Sequence, residues 1–352
     1  MTTLPKVSVI IPVHNSSEFL SPCLESVLGQ TLTNIEVICI DDASTDNSLD
    51  VLTQYAAHDS RLAIISLQNN AGPGAARNIA LDRATGKYCI SCDSDDVYPP
   101  HALEKLVVAA EAENVPLCGG NIIFMDYALK RILGVGDCVA STQFFERAVV
   151  NPREYPPVRL AVYHPRYLIE REFLNAHGIR YPALMRGEDP PFLAKLFCIA
   201  ESMVVLPDVV YFYRGAKPGV NKLLQADALN DYIEHIKLTH DIYLKYNDVA
   251  GACLFLALTV ENMCCFSIYS KFTQAQRKTV RDILLRRVKM MTPLIFEQDY
   301  APYPMVAREI EEKVAMLKKG PNCYLAWIFF KKINSFCKGL ARKFLGCNLG
   351  KR

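Results

Sequence analysis

The chain has 352 residues, of which 51% are apolar and 22% are charged, so it can hold one large domain with an appendage or two domains. The N-terminus has no long apolar stretch and no run of eighteen apolar residues occurs, so we expect neither a secretory signal nor a membrane-spanning helix. The most apolar segment, 249–268, is interrupted by Glu261 and Asn262 and predicts a buried core helix.

The thirteen cysteines and the charge distribution suggest a compartment and a partner. Many cysteines lie in apolar strings such as 37–40, which favours reduced, buried thiols in a cytoplasmic protein over the alternative of a zinc site. Residues 313–352 carry ten Lys and Arg and no Asp or Glu, which leaves −8 for residues 1–312 once these ten charges are subtracted from the total of +2. A basic segment on an acidic body indicates an anionic partner surface, either a membrane or a nucleic acid.

The first 125 residues alternate predicted strands and helices. Short β-rich runs predict strands at 7–12, 35–40, 63–67, 88–92 and 117–125. Helices are predicted at 47–57, at 75–84, from Pro99 to about 113, and at 23–28, where Ser21 and Pro22 suit the N-cap and the first turn. This alternation predicts an α/β fold with a mainly parallel, doubly wound sheet.

The remaining two thirds of the chain contain fewer recognisable elements. Residues 126–218 are irregular and rich in Pro, Tyr and Arg, 226–266 predict two helices, and the last third is helical without strand-like runs. Between 322 and 345, apolar and aromatic residues recur at helical spacing opposite basic ones, which predicts an in-plane helix on anionic lipid. A helix packed on its own domain is the alternative, and nucleic acid is disfavoured because no binding module accompanies the charge.

Segments that contain polar residues lie at the ends of three of the predicted strands. They are Pro12-Val13-His14-Asn15, Asp41-Asp42 and Asp93-Ser94-Asp95-Asp96. Ligands of open parallel sheets bind beyond the carboxyl ends of the strands, and five carboxylates converging there would repel one another unless a cation or donor groups were present. Mg²⁺ and Mn²⁺ usually bind through one or two carboxylates plus substrate phosphates, so the pattern predicts a divalent cation carrying a diphosphate.

Four motifs, in this order, resemble the inverting family 2 glycosyltransferases of the GT-A fold. They are Val7 to Asn15, Asp41 to Asp46, Gly72 to Asn78, and Gly86 to Asp96 with its DxD pair. The match covers 6–125 well, is weaker over 160–215 and is absent after that. It implies a Rossmann-like nucleotide-diphospho-sugar transferase fold with a helical C-terminal region.

The resemblance implies a nucleotide pocket lined by Pro12, Val13 and His14. Family members often have an aromatic residue where His14 stands, so its ring would stack on uracil; a loop histidine without a role is the alternative. Asp41 would accept a hydrogen bond from the base, which favours uracil, and Asp42 would be a supporting residue.

The resemblance also implies a set of residues around the diphosphate. Arg77 and Asn78, near a helix start, would contact the nucleotide, although a surface ion pair is the alternative for Arg77. Asp93, Ser94 and Asp95 would bind the nucleotide-sugar, with Asp95 the direct ligand of Mn²⁺ or Mg²⁺ and Asp93 on the ribose or a metal-bound water. Asp96 would orient the loop.

On the acceptor side, Gly187-Glu188-Asp189 resembles the family's ED motif at the start of a helix. It implies Asp189 as the catalytic base that removes the acceptor proton, with Glu188 the second choice. The sequence departs from the family in Pro190-Pro191-Phe192 and beyond Tyr211 to Arg214, where the usual His and Ser are missing. Arg214 or Lys217 would then neutralise the diphosphate.

Three further residues, His164, Arg166 and Tyr167, are candidates for the acceptor cleft, and packing roles are equally open. By regions, we expect a GT-A catalytic domain at 1–220 (donor half about 1–125, acceptor half about 126–220), a helical region at 221–320 and a basic amphipathic helix at 321–352.

The expected activity is transfer of a sugar from a nucleotide-sugar, favoured as UDP-sugar, to a glycan or lipid-linked acceptor. The enzyme would act in bacterial surface polysaccharide or lipooligosaccharide synthesis. It would be cytoplasmic or bound peripherally to the inner face of the cytoplasmic membrane. A non-catalytic nucleotide-sugar-binding or scaffold protein is the alternative. A dinucleotide-dependent oxidoreductase is disfavoured because no glycine occurs in the turn at 12–17.

Overall fold

A computed structural model describes residues 4–130, 132–134, 144–160, 163–215, 226–248, 251–252 and 255. The chain divides into two compact units, Met1–Asn221 and Lys222–Arg352. In the second unit the structure describes a helix at Ala226–Lys245, and the predicted amphipathic helix at 321–352 lies outside the described residues. The functional regions expected at 1–220, 221–320 and 321–352 therefore stay predictions.

The first unit alternates strands and helices along its N-terminal part and continues with shorter elements. The strands are β1 Val7–Val13, β2 Ile35–Asp41, β3 Leu62–Ser66, β4 Tyr88–Ser91, β5 Leu117–Met125, β6 Ile132–Gly134, β7 Ala148–Val150, β8 Tyr167–Glu170 and β9 Met203–Arg214. The helices are α1 Ser17–Leu28, α2 Ser48–His58, α3 Pro73–Arg83, α4 Ala102–Glu113, α5 Pro156–Leu160, α6 Arg171–Ala176 and α7 Asp189–Ile199, and α8 is the helix of the second unit. A 3-10 turn at His164–Arg166 precedes β8.

Among the described residues the strands form one sheet in the order β3-β2-β1-β4-β8-β5-β9-β7, with β6 paired to β5. The first four strands in this order are parallel, and β9 is parallel to β5. Strand β8 inserts antiparallel between β4 and β5. The predicted α/β class is confirmed. The prediction that 126–218 is irregular was wrong, because this segment contributes four strands, one of which lies in the centre of the sheet.

Side chains of the central strands alternate between two cores, which is the signature of a sheet covered on both faces. Val9 and Ile11 of β1 face the core built with α1, α2 and α4, whereas Ile10 faces the core built with α3 and α7. Because both faces are covered, β1 is buried along its whole length, and its polar neighbours must lie at the ends of the strands.

Helix α1 begins earlier than its sequence suggests. Pro22 predicts a first-turn position, but the helix begins at Ser17 and encloses the proline. Burial of Leu20, Cys23 and Val27 outweighs the single backbone hydrogen bond that a proline removes. The expected start near residue 22 is therefore wrong.

The described cysteines, at 23, 39, 89, 92, 118 and 198, are buried thiols. Cys89 and Cys92 have C-x-x-C spacing, which is also found in zinc and redox sites. Positions three apart along an extended chain face opposite sides, and these two thiols lie in different cores. Burial raises the pKa of Cys89 to about 12, which leaves it an unreactive thiol.

No helix within the described ranges has the length and apolar character needed to cross a membrane. Most of the segment 249–268, for which we predicted a buried core helix, lies outside those ranges.

Candidate active site

Two polar clusters lie at the carboxyl edge of the sheet. The first, which we call the His14 cluster, consists of His14, Asn15, Asp42 and Asn70. The Nδ1 atom of His14 lies 2.7 Å from the Asp42 carbonyl oxygen, and Nε2 lies 3.1 Å from the side-chain nitrogen of Asn70. Because a carbonyl only accepts and an amide nitrogen only donates, this geometry assigns the hydrogen to Nδ1 and leaves Nε2 as the acceptor. The His14 ring is thereby held at an exposed position.

The two aspartates after β2 have different tasks. Asp41 is buried and accepts hydrogen bonds from the Ser66 hydroxyl (3.0 Å) and the Ser44 amide (3.3 Å). Asp42 accepts the amides of Ala71 (2.7 Å) and Gly72 (2.8 Å), so it fixes the loop that enters α3. This geometry agrees with the supporting role predicted for Asp42.

Pro12 and Val13 lie within β1 and are buried. The side chains exposed just beyond the strand are those of His14 and Asn15. A nucleotide contact through Pro12 or Val13 stays a prediction.

The second cluster, which we call the Arg77 cluster, consists of Arg77, Asp93, Glu188 and Asp189. The Nη2 atom of Arg77 donates to Asp93 at 2.7 Å, and Nη1 donates to Glu188. Nη1 also lies 3.7 Å from Oδ1 of Asp189, and Nε donates to Ser91 at 3.2 Å. One guanidinium thus joins the first aspartate of the DxD pair to the ED motif, which is about 100 residues away in the sequence.

Arg77 is 4% exposed, so the surface ion pair that the sequence left as an alternative does not describe its position. Burial by itself lowers the pKa of Arg77, but the carboxylates of Asp93, Asp189 and Glu188 outweigh it and hold the pKa well above the usual value. The guanidinium is therefore a fixed positive charge between two acidic motifs. Direct contact with the nucleotide stays a prediction for this residue.

Helix α3 also positions the segment that leads to α7. The side-chain amide of Asn78 donates to the Tyr181 carbonyl and accepts from the Tyr181 amide, both at 2.9 Å. Gly74 lies so close to this segment that an added Cβ would be 2.7 Å from the Pro182 oxygen. The glycine and the asparagine of the motif thus dock the segment that carries Glu188. A nucleotide contact of Asn78 stays a prediction.

The acidic loop after β4 is tied to β9. Tyr211 accepts the Asp93 amide (3.0 Å) and donates to Asp96 (2.8 Å), which also accepts the Arg214 amide (2.7 Å). Burial raises the pKa of Asp96 well above its usual value, and the charges of Asp95 and Asp93 raise it further. Asp96 therefore holds the loop, as predicted.

Ser94 and Arg214 also hold the acidic loop from its two sides. The Ser94 hydroxyl lies 2.7 Å from that of Ser16, just after β1. The Arg214 guanidinium donates to the carbonyls of Asp95 (2.5 Å) and Tyr127 (2.7 Å). Neutralisation of a diphosphate by Arg214 stays a prediction, and Lys217 lies outside the described residues.

The donor set fits a hard divalent cation. Asp93 and Asp95 are partly exposed carboxylates of the acidic loop. Burial raises the pKa of Asp96, and the charges of these two neighbours raise it further. In the part of the chain that the structure describes, no three His, Cys, Asp or Glu side chains are grouped to hold a metal by themselves. Mg²⁺ and Mn²⁺ need only one or two carboxylates when substrate phosphates complete the shell.

The ED motif begins helix α7, with Glu188 at the N-cap and Asp189 as the first helical residue. Pro190 and Pro191 depart from the family pattern but fit the first turn, where backbone N–H groups have no helical partner. Glu188 is 6% exposed, and burial together with the neighbouring Asp189 raises its pKa although Arg77 opposes the shift. The side chain of Asp189 is 26% exposed and is the more accessible carboxylate.

The three acceptor-cleft candidates lie in the interior. Arg166 is fully buried and donates to the Gly120 carbonyl (2.6 Å) and to Asn121 (3.2 Å), and Tyr167 packs edge-on against Phe197. These contacts give Arg166 and Tyr167 packing roles. His164 is also buried, but its Nδ1 lies 2.9 Å from Oδ2 of Asp189.

Sequence reasoning missed Tyr181 and Tyr211. Tyr181 stacks on Phe192 of α7 (centroids 3.9 Å apart), and Tyr211 joins Asp93 to Asp96. No spacing signal distinguishes these tyrosines from core aromatics.

Comparisons with known proteins identify the family of the chain. The family model described as "Glycosyl transferase family 2" matches residues 8–133. An uncharacterised glycosyltransferase of Haemophilus influenzae is 37% identical over 238 residues, which are 67% of this chain and 90% of the relative. The succinoglycan biosynthesis protein ExoO of Rhizobium meliloti is 25% identical over 233 residues, 65% of this chain and 66% of that protein.

Among solved structures, S. aureus TarS 1–349 in complex with UDP-GlcNAc superposes with a TM-score of 0.70 at 21% identity, covering 95% of this chain and 92% of TarS 1–349. At this identity the similarity bears on the fold alone, and it agrees with the Rossmann-like α/β architecture. The family match and the Haemophilus relative show that the chain belongs to glycosyl transferase family 2 and is a glycosyltransferase.

Proposed function

We propose that this glycosyltransferase moves a sugar from a UDP-sugar to a hydroxyl of a glycan or lipid-linked acceptor, with inversion at the anomeric carbon. The observation that carries the proposal is the Arg77 cluster, which brings Asp93 of the DxD pair and Asp189 of the ED motif to one guanidinium. Donor and acceptor chemistry must meet at one place in such a transfer, and this cluster supplies both carboxylates. A purely binding protein would have no need for the second one.

In this proposal the donor half binds the nucleotide between His14 and the acidic loop. His14 offers a fixed ring on which the base can stack, and Asp41 offers a buried carboxylate that can accept a hydrogen bond from the base. Asp95 and Asp93 would hold Mn²⁺ or Mg²⁺, which supplies electrostatic stabilisation of the departing diphosphate. The UDP-GlcNAc bound to TarS supports a uridine donor.

On the acceptor side, Asp189 removes the proton of the attacking hydroxyl while the bond to the anomeric carbon forms. Glu188 is less suited to this task because it is buried and bonded to Arg77. The relationship to a succinoglycan biosynthesis protein supports a glycan acceptor and a role in bacterial surface polysaccharide or lipooligosaccharide synthesis.

A donor screen tests the proposal. UDP-, GDP- and dTDP-sugars, each with and without Mn²⁺, are compared for protection of the full chain against thermal unfolding, and hydrolysis of the best donor follows. We expect Mn²⁺-dependent protection by a UDP-sugar that Asp95→Ala abolishes. Asp82→Ala, which removes an exposed carboxylate of α3, is the matched control. Protection by no donor, with or without metal, would overturn the proposal.

We also propose that residues 321–352 attach the enzyme peripherally to the cytoplasmic face of an anionic membrane. The charge pattern of the sequence supports this, since each basic residue near such a surface contributes about 1 kcal/mol. Liposomes with and without anionic lipid are co-sedimented with the full chain and with a chain lacking 320–352. Equal binding by both chains would contradict the proposal.

A further inference from the structure

His164 is a buried histidine that lies against the proposed base. It is 2% exposed, it begins the 3-10 turn before β8, and its Nδ1 lies 2.9 Å from Oδ2 of Asp189. A carboxylate accepts and does not donate, so a hydrogen bond between these two atoms requires the hydrogen on Nδ1. The histidine is 25 residues from the ED motif, and no motif in the sequence joins the two.

The His164 ring is held in place by aromatic packing. It lies edge-on to Tyr181, with centroids 5.6 Å apart and an angle of 80° between the planes. Tyr181 stacks in parallel on Phe192, which lies in the first turn of α7, three residues after Asp189. The orientation of the imidazole is therefore coupled to the helix that carries the carboxylate.

The two oxygens of the Asp189 carboxylate lie near different groups. Arg77 makes its close bonds with Asp93 and Glu188, and its distance of 3.7 Å from Oδ1 of Asp189 is too long for a hydrogen bond. Oδ1 is itself shielded from solvent. In the proposed reaction Oδ2, the oxygen beside His164, is therefore the one that meets the acceptor hydroxyl.

We propose that His164 is a positioning residue of this enzyme, which donates from Nδ1 to Oδ2 of Asp189 and directs the carboxylate toward the acceptor hydroxyl. This inference rests on the proposed role of Asp189 as the base. The pair is close but not yet an aligned hydrogen bond. Catalytic hydrogen bonds often align only when substrate binds.

Two substitutions separate positioning from packing. His164→Leu keeps side-chain bulk but removes the donor, whereas His164→Asn places an amide nitrogen where Nδ1 stands but is smaller. His164 also lines a cavity of about 20 Å³, which the asparagine would enlarge. A packing role therefore predicts that asparagine is the more harmful change, and a positioning role predicts the reverse.

The assay is Mn²⁺-dependent release of UDP from UDP-GlcNAc by the full chain, with water in place of the acceptor hydroxyl. We expect His164→Leu to lower kcat about 10- to 100-fold with an unchanged donor KM, because a displaced base affects the reaction step and not donor binding. His164→Asn should retain a kcat close to that of the wild type. His58→Leu, at an exposed position of α2, is the control.

Wild-type kcat in His164→Leu, or a greater loss in His164→Asn than in His164→Leu, would overturn the proposal while the function stands. Release of UDP from no UDP-sugar by the wild type would instead contradict the proposed function. The contact is then tested by thermal unfolding of His164→Leu, Asp189→Asn and the double variant. Non-additive shifts in Tm support the contact, and additive shifts overturn it.

Discussion

The His14 cluster and the Arg77 cluster lie at the same edge of the sheet but differ in burial, charge and connectivity. The His14 cluster is partly exposed and joins groups through hydrogen bonds of an imidazole, two amides and a carbonyl. The Arg77 cluster surrounds a guanidinium that is 4% exposed with three carboxylates. The first can meet a ligand without changing the fold, whereas a change in the second would affect both the proposed reaction and the stability of the domain.

Asp189→Asn gives the largest expected effect, since it removes the proposed base and leaves the shape of the Arg77 cluster. We expect kcat for hydrolysis of the UDP-sugar to fall about 10²- to 10⁴-fold. Donor binding, measured by thermal protection, should stay unchanged. Asp82→Asn on the exposed face of α3 is the control, and turnover at the wild-type rate would exclude Asp189 as the base.

Arg77→Met tests the structural side of the same cluster. It leaves Glu188 buried without its cation, so we expect the free energy of unfolding to fall by about 3–5 kcal/mol. Chemical denaturation measures this. Arg147→Met, which breaks the exposed pair with Glu113, should change stability by less than about 1 kcal/mol. Equal losses of unfolding free energy in the two variants would contradict the expectation that the buried ion pairs of Arg77 stabilise the fold more than an exposed pair does.

His14→Ala should affect binding and not stability. Loss of a ring that stacks on the base should weaken UDP binding by about 1 kcal/mol, or roughly fivefold in Kd. His14→Phe should restore or improve the affinity, because phenylalanine offers a larger stacking face. If calorimetry gives the same Kd for both variants and the wild type, His14 has no role in binding the base.

Substitution of Asp46, which lies in the loop beside the His14 cluster, has the smallest expected effect. Partial burial raises the pKa of its carboxyl, but hydrogen bonds from Ser48 and Ser17 outweigh this and lower the pKa from 3.8 to about 2. A lowered pKa means that the carboxylate stabilises the folded chain above pH 3.8 and that this contribution is lost as the pH falls toward 2.

Since Asp46 is exposed and screened by solvent, we expect Asp46→Asn to lose about 1 kcal/mol at pH 7. The difference from the wild type should shrink below pH 4. Unfolding free energies measured between pH 2 and pH 7 check this, and a difference that does not vary with pH would contradict it.

The sequence by itself determined most of the strands and helices of residues 1–125 and the motifs of the proposed donor site. Buried apolar runs in strands β1, β2 and β4 and the acids at their ends follow from local patterns, because period and turn chemistry act over a few residues. The same local rules placed the start of α1 too late, since they see Pro22 but not the core that covers the helix.

Only the tertiary structure decided how the acidic motifs meet. Arg77 joins Glu188 across 111 positions. His164 lies directly against Asp189, and packing on Tyr181, which stacks on Phe192, holds its ring. The insertion of β8 between β4 and β5 places the turn that carries His164. Contacts between distant segments leave no periodic signal, because each segment contributes a single side chain whose partner is fixed by packing and not by spacing.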